Sequence, residues 1–116
     1  MGKRLTNESR RRRGRETELI FAEYLKKNGW VYAEATSSSA PGTDITGVVG
    51  VDWELKARAG FPVKEAMKQQ TKRIKEGVLP IAVLRQNGQG ELDVDNWPAV
   101  IPVKMMIQLL KEAGYL

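Results

Sequence analysis

The chain reads as an α/β domain, a mixed β-sheet with flanking helices, and three observations predict this. Apolar residues recur at helical spacing in the first quarter of the chain and again near its end. Two runs, Val51 to Arg58 and Val78 to Arg85, are rich in strand-forming residues and bounded by turn signals. Helical and extended segments alternate with no internal repeat, the order expected of a sheet that carries helices on its faces. With 116 residues the chain supports one hydrophobic core and little more.

The first helix is expected from about Arg15 to Asn28, with a start inside the preceding arginine run also possible. Ile20, Phe21, Tyr24 and Leu25 share one face, and Gly29 is a natural stop after Lys26 and Lys27. Trp30 to Ala35 then reads as a strand. Thr36 to Thr43 is rich in Ser, Pro and Gly and reads as a loop. Asp44 to Val49 and Val51 to Arg58 read as two strands joined by a tight turn at Gly50. Pro62 opens a second helix that ends before Gly77. Val78 to Arg85 is a buried strand, Gln86 to Gly90 a turn, and Glu91 to Val94 its expected antiparallel partner. Pro102 opens a last helix with a polar stripe of Lys104, Gln108 and Lys111. Its remaining surface is mostly apolar. That helix either completes the core or presents Val103, Met106, Ile107 and Leu110 to a partner.

The chain has no histidine and no cysteine. This excludes Ser-His-Asp and Cys-His sites, histidine bases, zinc centres built on these ligands, and disulfides. Any chemistry must rest on carboxylates, lysine, hydroxyls or a hard metal ion. The net charge is +5 and the pI about 9.6, which suits a polyanionic partner. Residues 1–15 hold seven basic residues against Glu8, whereas the rest hold twelve against thirteen acids. The basicity therefore belongs to an N-terminal arm (residues 1–13, expected to be flexible) attached to a single domain (residues 14–116). Arg10, Arg11, Arg12, Arg13 and Arg15 either form a solvated tail or contact nucleic-acid phosphates. No run approaches the ~18 apolar residues of a membrane span, and the N-terminus lacks the apolar run of a secretory signal. No membrane partner is expected.

The segment Val51-Asp52-Trp53-Glu54-Leu55-Lys56 carries the most chemistry. On a strand Val51, Trp53 and Leu55 face one way and Asp52, Glu54 and Lys56 the other. Glu54 and Lys56 then lie about 6.5–7 Å apart along one face. A carboxylate there can hold a metal while the ammonium reaches a water or phosphate beside it. Asp44 begins the preceding strand, so the two acids can converge at one end of the sheet. A Mg²⁺ ion takes one or two such carboxylates, with water and phosphate completing its shell. On the second helix Gln70 shares the apolar face with Val63, Ala66, Met67 and Ile74. A core-facing amide must be hydrogen-bonded, either structurally or within a site. Glu18 shares a face with Phe21 and Leu25, and is either a first-turn acid favoured by the helix dipole or part of the same site.

Taken in order, Glu18, Asp44, Glu54-x-Lys56 and Gln70 resemble the PD-(D/E)xK nuclease superfamily, in particular small Holliday junction resolvase-like enzymes of archaea and phages. The phrases carrying the likeness are Arg15-Glu16-Thr17-Glu18-Leu19, Gly42-Thr43-Asp44-Ile45, Trp53-Glu54-Leu55-Lys56, and the stretch from Gln70 through Pro80-Ile81-Ala82-Val83-Leu84. They span about Arg13 to Leu110. Thr43 departs from the proline often found before the aspartate. The resemblance implies a restriction-endonuclease-like core and a Mg²⁺-dependent phosphodiesterase, with Mn²⁺ able to substitute. Asp44, Glu54 and the Leu55 carbonyl would bind the metal, with Glu18 supporting them. Lys56 would orient or deprotonate the attacking water, and Gln70 would hold Lys56 or the scissile phosphate. Products would carry a 5′-phosphate and a 3′-hydroxyl. One of Ser37, Ser38 and Ser39 would approach the DNA backbone. The implied protein is a homodimer that cuts branched DNA, in the cytoplasm or on the nucleoid of a bacterial, archaeal or phage-infected cell. A nuclease of single strands, ends or duplex sites shares the same motif, and a non-catalytic nucleic-acid-binding domain is the reading of another class.

Overall fold

A computed structural model describes residues 7–36, 42–57, 63–72 and 77–116. The elements are α1 (Asn7–Lys27), β1 (Glu34–Ala35), β2 (Ile45–Thr46), β3 (Val51–Lys56), α2 (Val63–Thr71), β4 (Leu79–Leu84), a 3₁₀ helix (Glu91–Asn96), β5 (Ala99–Val100) and α3 (Val103–Glu112). The mixed α/β domain expected from the sequence is present. Among the described residues no helix is long and apolar enough to cross a membrane.

Helix α1 takes in the arginine run, so the expected boundary between arm and domain at Gly14 falls inside a continuous helix. Its C-terminus is closed by a Schellman arrangement. Trp30 N donates to Leu25 O at 3.0 Å, and Gly29 N, on a residue with φ 109°, donates to Lys26 O at 3.1 Å. A further turn follows, with Ala33 N donating to Trp30 O. These bonds occupy the backbone that the sequence pattern assigned to a strand from Trp30, and only Glu34 and Ala35 remain extended.

Strands β3 and β4 run parallel, with Val51 opposite Leu79 and Lys56 opposite Leu84, joined by a crossover through α2. Leu79 N donates to Gly50 O at one end of this ladder and Arg85 N to Lys56 O at the other. Even-numbered positions on β4 thus turn their nitrogens away from β3, which is why Pro80 is tolerated in the strand. The antiparallel partner of β4 is β5, through Ala82–Val100 and Val83–Ala99. Glu91 to Val94, expected to fill that place, is instead the start of the 3₁₀ helix. Asp93 Oδ2 accepts from Gly90 N at 2.8 Å while Asp93 N donates to Gly90 O. Such local side-chain bonding favours a turn over a strand.

The expected hairpin before Gly50 is also shorter than predicted. Strand β2 pairs with β1, through Glu34–Thr46 and Ala35–Ile45, and joins β3 through one backbone bond, Asp44 N to Trp53 O at 2.8 Å. The turn at Gly50 holds, with φ 81°. Gly47 is required twice over, by its φ of 83° and because a Cβ there would overlap the carbonyl of Tyr32. Gly47→Ala is expected to destabilise the fold by at least ~1–3 kcal/mol in a urea titration; an unchanged midpoint would contradict this packing of the two loops.

The core lies between α1 and the sheet. Phe21 and Leu25 of α1 meet Trp53 and Leu55 of β3, Val83 of β4, Ile45 and Trp97. Phe21 stands edge-on to Trp53 at 5.0 Å and lies parallel to Trp97 at 6.4 Å. The opposite face of β3 is covered by α2, which leaves Asp52 and Glu54 buried as well. Helix α3 completes no core, since it has no buried residue.

Candidate active site

The site forms along the edge of β3 that faces away from β4. Thr43 and Asp44 use their side chains where a regular ladder would use backbone. Trp53 N donates to Thr43 Oγ1 at 2.8 Å, and Leu55 N donates to Asp44 Oδ2 at 2.7 Å. Thr43 Oγ1 in turn donates to Ile45 O at 2.9 Å. Thr43 is therefore an acceptor in the joint between β2 and β3. The carboxylate of Asp44 is locked against the backbone of the residue that follows Glu54. Because a strand residue points its N–H and C=O to the same side, the Leu55 carbonyl lies on this same edge.

Glu54 and Lys56 sit on the α2 side of β3. Lys56 Nζ lies 3.2 Å from Glu54 Oε1 and 3.6 Å from Glu65 Oε1. The Glu54 and Lys56 side chains are only 8% and 11% exposed, so their ion pair forms in a poorly solvated place. Gln70, 1% exposed, donates through Nε2 to Asp52 O at 3.2 Å and Ile81 O at 3.1 Å. Of the two roles left open for it, these contacts describe the structural one: the amide ties α2 to the centre of the β3–β4 ladder.

Glu18 lies within electrostatic reach of Glu54. Burial is the main cause that pushes its carboxyl above the ordinary glutamate range; Glu54 pushes the same way, while the ion pair and hydrogen bond with Arg15 (3.4 Å) oppose it. The folded chain therefore holds the Glu18 proton to higher pH than the unfolded chain does. Stability is lost as pH rises through that window. Glu18→Gln is thus expected to melt above wild type at pH 7, the difference vanishing toward about pH 4, near the pKa of an unperturbed glutamate. A variant that melts at or below wild type at pH 7 would contradict this reading.

The arginines divide by helix face. Arg11, Arg12 and Arg15 border a concavity of about 680 Å³ whose described lining also includes Glu8, Gly14 and Glu18. Arg15 also donates to Thr36 O at 2.5 Å. Arg10 is exposed as well. Arg13 points the other way and donates to Gln86 O at 3.1 Å; burial, then the nearby Arg85, lower its pKa. Ser37, Ser38 and Ser39 lie outside the described residues.

Sequence reasoning missed two residues. Glu65 reads as an ordinary first-turn acid of α2, and only the crossover brings it to Lys56. Arg85 is 5% exposed and reads as the polar end of a strand, although it binds α1 through Thr17 and Glu16.

The candidate donors are oxygen alone: the Asp44 carboxylate against Leu55 N, the Glu54 carboxylate one residue before it, Glu18 within electrostatic reach of Glu54, and the Leu55 carbonyl on the strand edge. Among the described residues no three acidic side chains stand close enough to enclose an ion. Two carboxylates with water suffice for Mg²⁺, so the donor set fits a hard divalent cation. Compared with protein-family models, curated proteins and solved structures, the chain matches none.

Proposed function

We propose that this protein is a metal-dependent phosphodiesterase with a nuclease core of the PD-(D/E)xK kind. Its substrate is proposed to be branched DNA, most specifically a four-way junction. The observation that carries the reading is the Asp44 carboxylate bonded to Leu55 N at 2.7 Å, at the residue between Glu54 and Lys56, whose side chains form a poorly exposed ion pair. Asp44 and Glu54 would hold Mg²⁺, or Mn²⁺ in its place, with the Leu55 carbonyl as a further ligand. When bound, the ion supplies a more acidic water and neutralises charge on the phosphate. The ammonium of Lys56 would orient that water and offset charge building on the phosphoryl oxygens. Glu18 adds negative potential behind Glu54, and Gln70 keeps α2 and β3 in register.

The exposed guanidinium groups of Arg10, Arg11 and Arg12, together with Arg15 beside Glu18, would hold the DNA backbone, since arginine presents a planar fork to phosphate oxygens. Phosphate contacts of this sort position a duplex without reading its sequence, which suits recognition by shape. Two cuts in a four-way junction call for a two-fold dimer. Helix α3 offers the surface: Val103, Met106, Ile107, Leu109 and Leu110 are each between 38% and 70% exposed, an apolar strip of the kind that marks an interface. Such a protein would work in the cytoplasm or on the nucleoid.

The test is cleavage, with Mg²⁺, of a four-way junction, a flap, a splayed duplex, a linear duplex and a single strand. Paired symmetric nicks confined to the junction, made by a protein whose scattering mass is twice that of the chain, are expected. Preference for ends or single strands would replace the junction with another substrate. Tight binding with no cleavage of any of them would make the protein a nucleic-acid-binding module.

A further inference from the structure

We infer that Glu65 is a positioning residue that frees Glu54 for metal binding by taking over the charge of Lys56; this rests on the reading of Asp44 and Glu54 as metal ligands. Lys56 is nearly buried, and its ammonium lies within 3.2 Å of Glu54 and 3.6 Å of Glu65. A cation and this ammonium compete for the same Glu54 carboxylate. An ammonium that loses its anion in a poorly solvated place carries a large penalty, and that penalty opposes metal uptake. Glu65 removes it, because a second carboxylate already stands beside Lys56. The transfer needs only a small shift of the ammonium from one oxygen toward the other.

Glu65 can do this because α2 is held in place. Gln70, five residues further along the same helix, donates to carbonyls of both β3 and β4, which fixes the helix over Lys56. Glu65 itself is 40% exposed, so its carboxylate stays partly hydrated and can receive the ammonium without itself becoming a buried charge. Outer residues that orient a metal's ligands in this way change affinity by roughly 10–100-fold when they are replaced.

The test uses the full chain, with Mg²⁺ titrated by calorimetry and cleavage kinetics measured alongside. Glu65→Gln keeps the shape and removes the charge. It is expected to weaken Mg²⁺ affinity about tenfold and to lower kcat at limiting Mg²⁺, while KM for DNA and the melting temperature without metal stay unchanged. In a Lys56→Met background, where no ammonium competes, Glu65→Gln is expected to leave Mg²⁺ affinity unaltered. Wild-type Mg²⁺ affinity in Glu65→Gln overturns the inference. So does an equal loss in the Lys56→Met background, which would make Glu65 act on the metal without Lys56. Asp44→Asn, titrated in parallel, separates the two levels. If Asp44→Asn leaves Mg²⁺ affinity intact, the site assignment itself fails; if it abolishes binding while Glu65→Gln does nothing, the role of Glu65 alone falls.

Discussion

Asp44→Asn is expected to lower Mg²⁺-dependent cleavage by on the order of 10³-fold or more, because a metal's charge stabilisation at the phosphate is worth several kcal/mol. The substitution is a clean probe. An asparagine oxygen can still accept from Leu55 N, so the joint between β2 and β3 survives while one charge is lost. Glu54→Gln is expected to do the same, with Lys56 retaining Glu65 as its anion. Both variants should bind DNA at least as well as wild type, since each removes a negative charge from a phosphate-binding surface. Full activity in either, measured on a labelled junction under single-turnover conditions, would remove these residues from the site.

The largest expected effect on stability belongs to Arg85. Its guanidinium donates to Thr17 Oγ1 at 2.9 Å, to Glu16 Oε1 at 3.2 Å and, through Nε, to Gln89 O at 2.8 Å. It also lies over the Trp97 ring, 5.5 Å from the centroid, within the range of a cation–π contact. Arg85 thus fastens the arginine-bearing half of α1 to the end of β4 and to the loop after it. Arg85→Met fills much of the volume but satisfies none of the three acceptors. It is expected to cost ~2–4 kcal/mol, from the loss of several charge-assisted bonds at a buried position. Glu16, whose side chain is 59% exposed, should cost under about 1 kcal/mol when replaced by Ala. Urea denaturation of both variants checks the pair of numbers. Equal losses would mean that the ion pair, and not the buried network, holds α1 in place.

What was legible in the sequence follows from period and local chemistry. The apolar spacing from Ile20 to Leu25, the alternation through Trp53 and Leu55, and the glycine stop at Gly29 are short-range signals, and α1, β3, β4, α2 and α3 were all read from signals of this kind. Strands β1 and β2 are shorter than their pattern predicts because side chains of Thr43 and Asp44, and the turn at Trp30, occupy bonds that longer strands would use. The arginine run looks uniform as a string, yet the helix turns Arg13 inward to Gln86 and leaves Arg10, Arg11 and Arg12 exposed.

The candidate site was partly legible for the same reason. Glu54 and Lys56 are two apart on one strand, and their pairing follows from the pleat. The position of Asp44 at the start of the preceding segment predicts that it meets β3 near this pair, and its carboxylate accepts from Leu55 N. The reach of Glu18 toward Glu54 and of Glu65 toward Lys56 depends on how α1 and α2 cross the sheet, which no local pattern encodes. Arg85 is the extreme case, since its partners Thr17 and Glu16 stand 68 and 69 residues away.

The most direct test of the central claim is a four-way junction incubated with the wild-type protein, in Mg²⁺ and in excess chelator. The account predicts paired nicks with 5′-phosphate ends in Mg²⁺ and intact junction in chelator. Cleavage that survives chelation, or a junction that is bound and never cut in Mg²⁺, would contradict it.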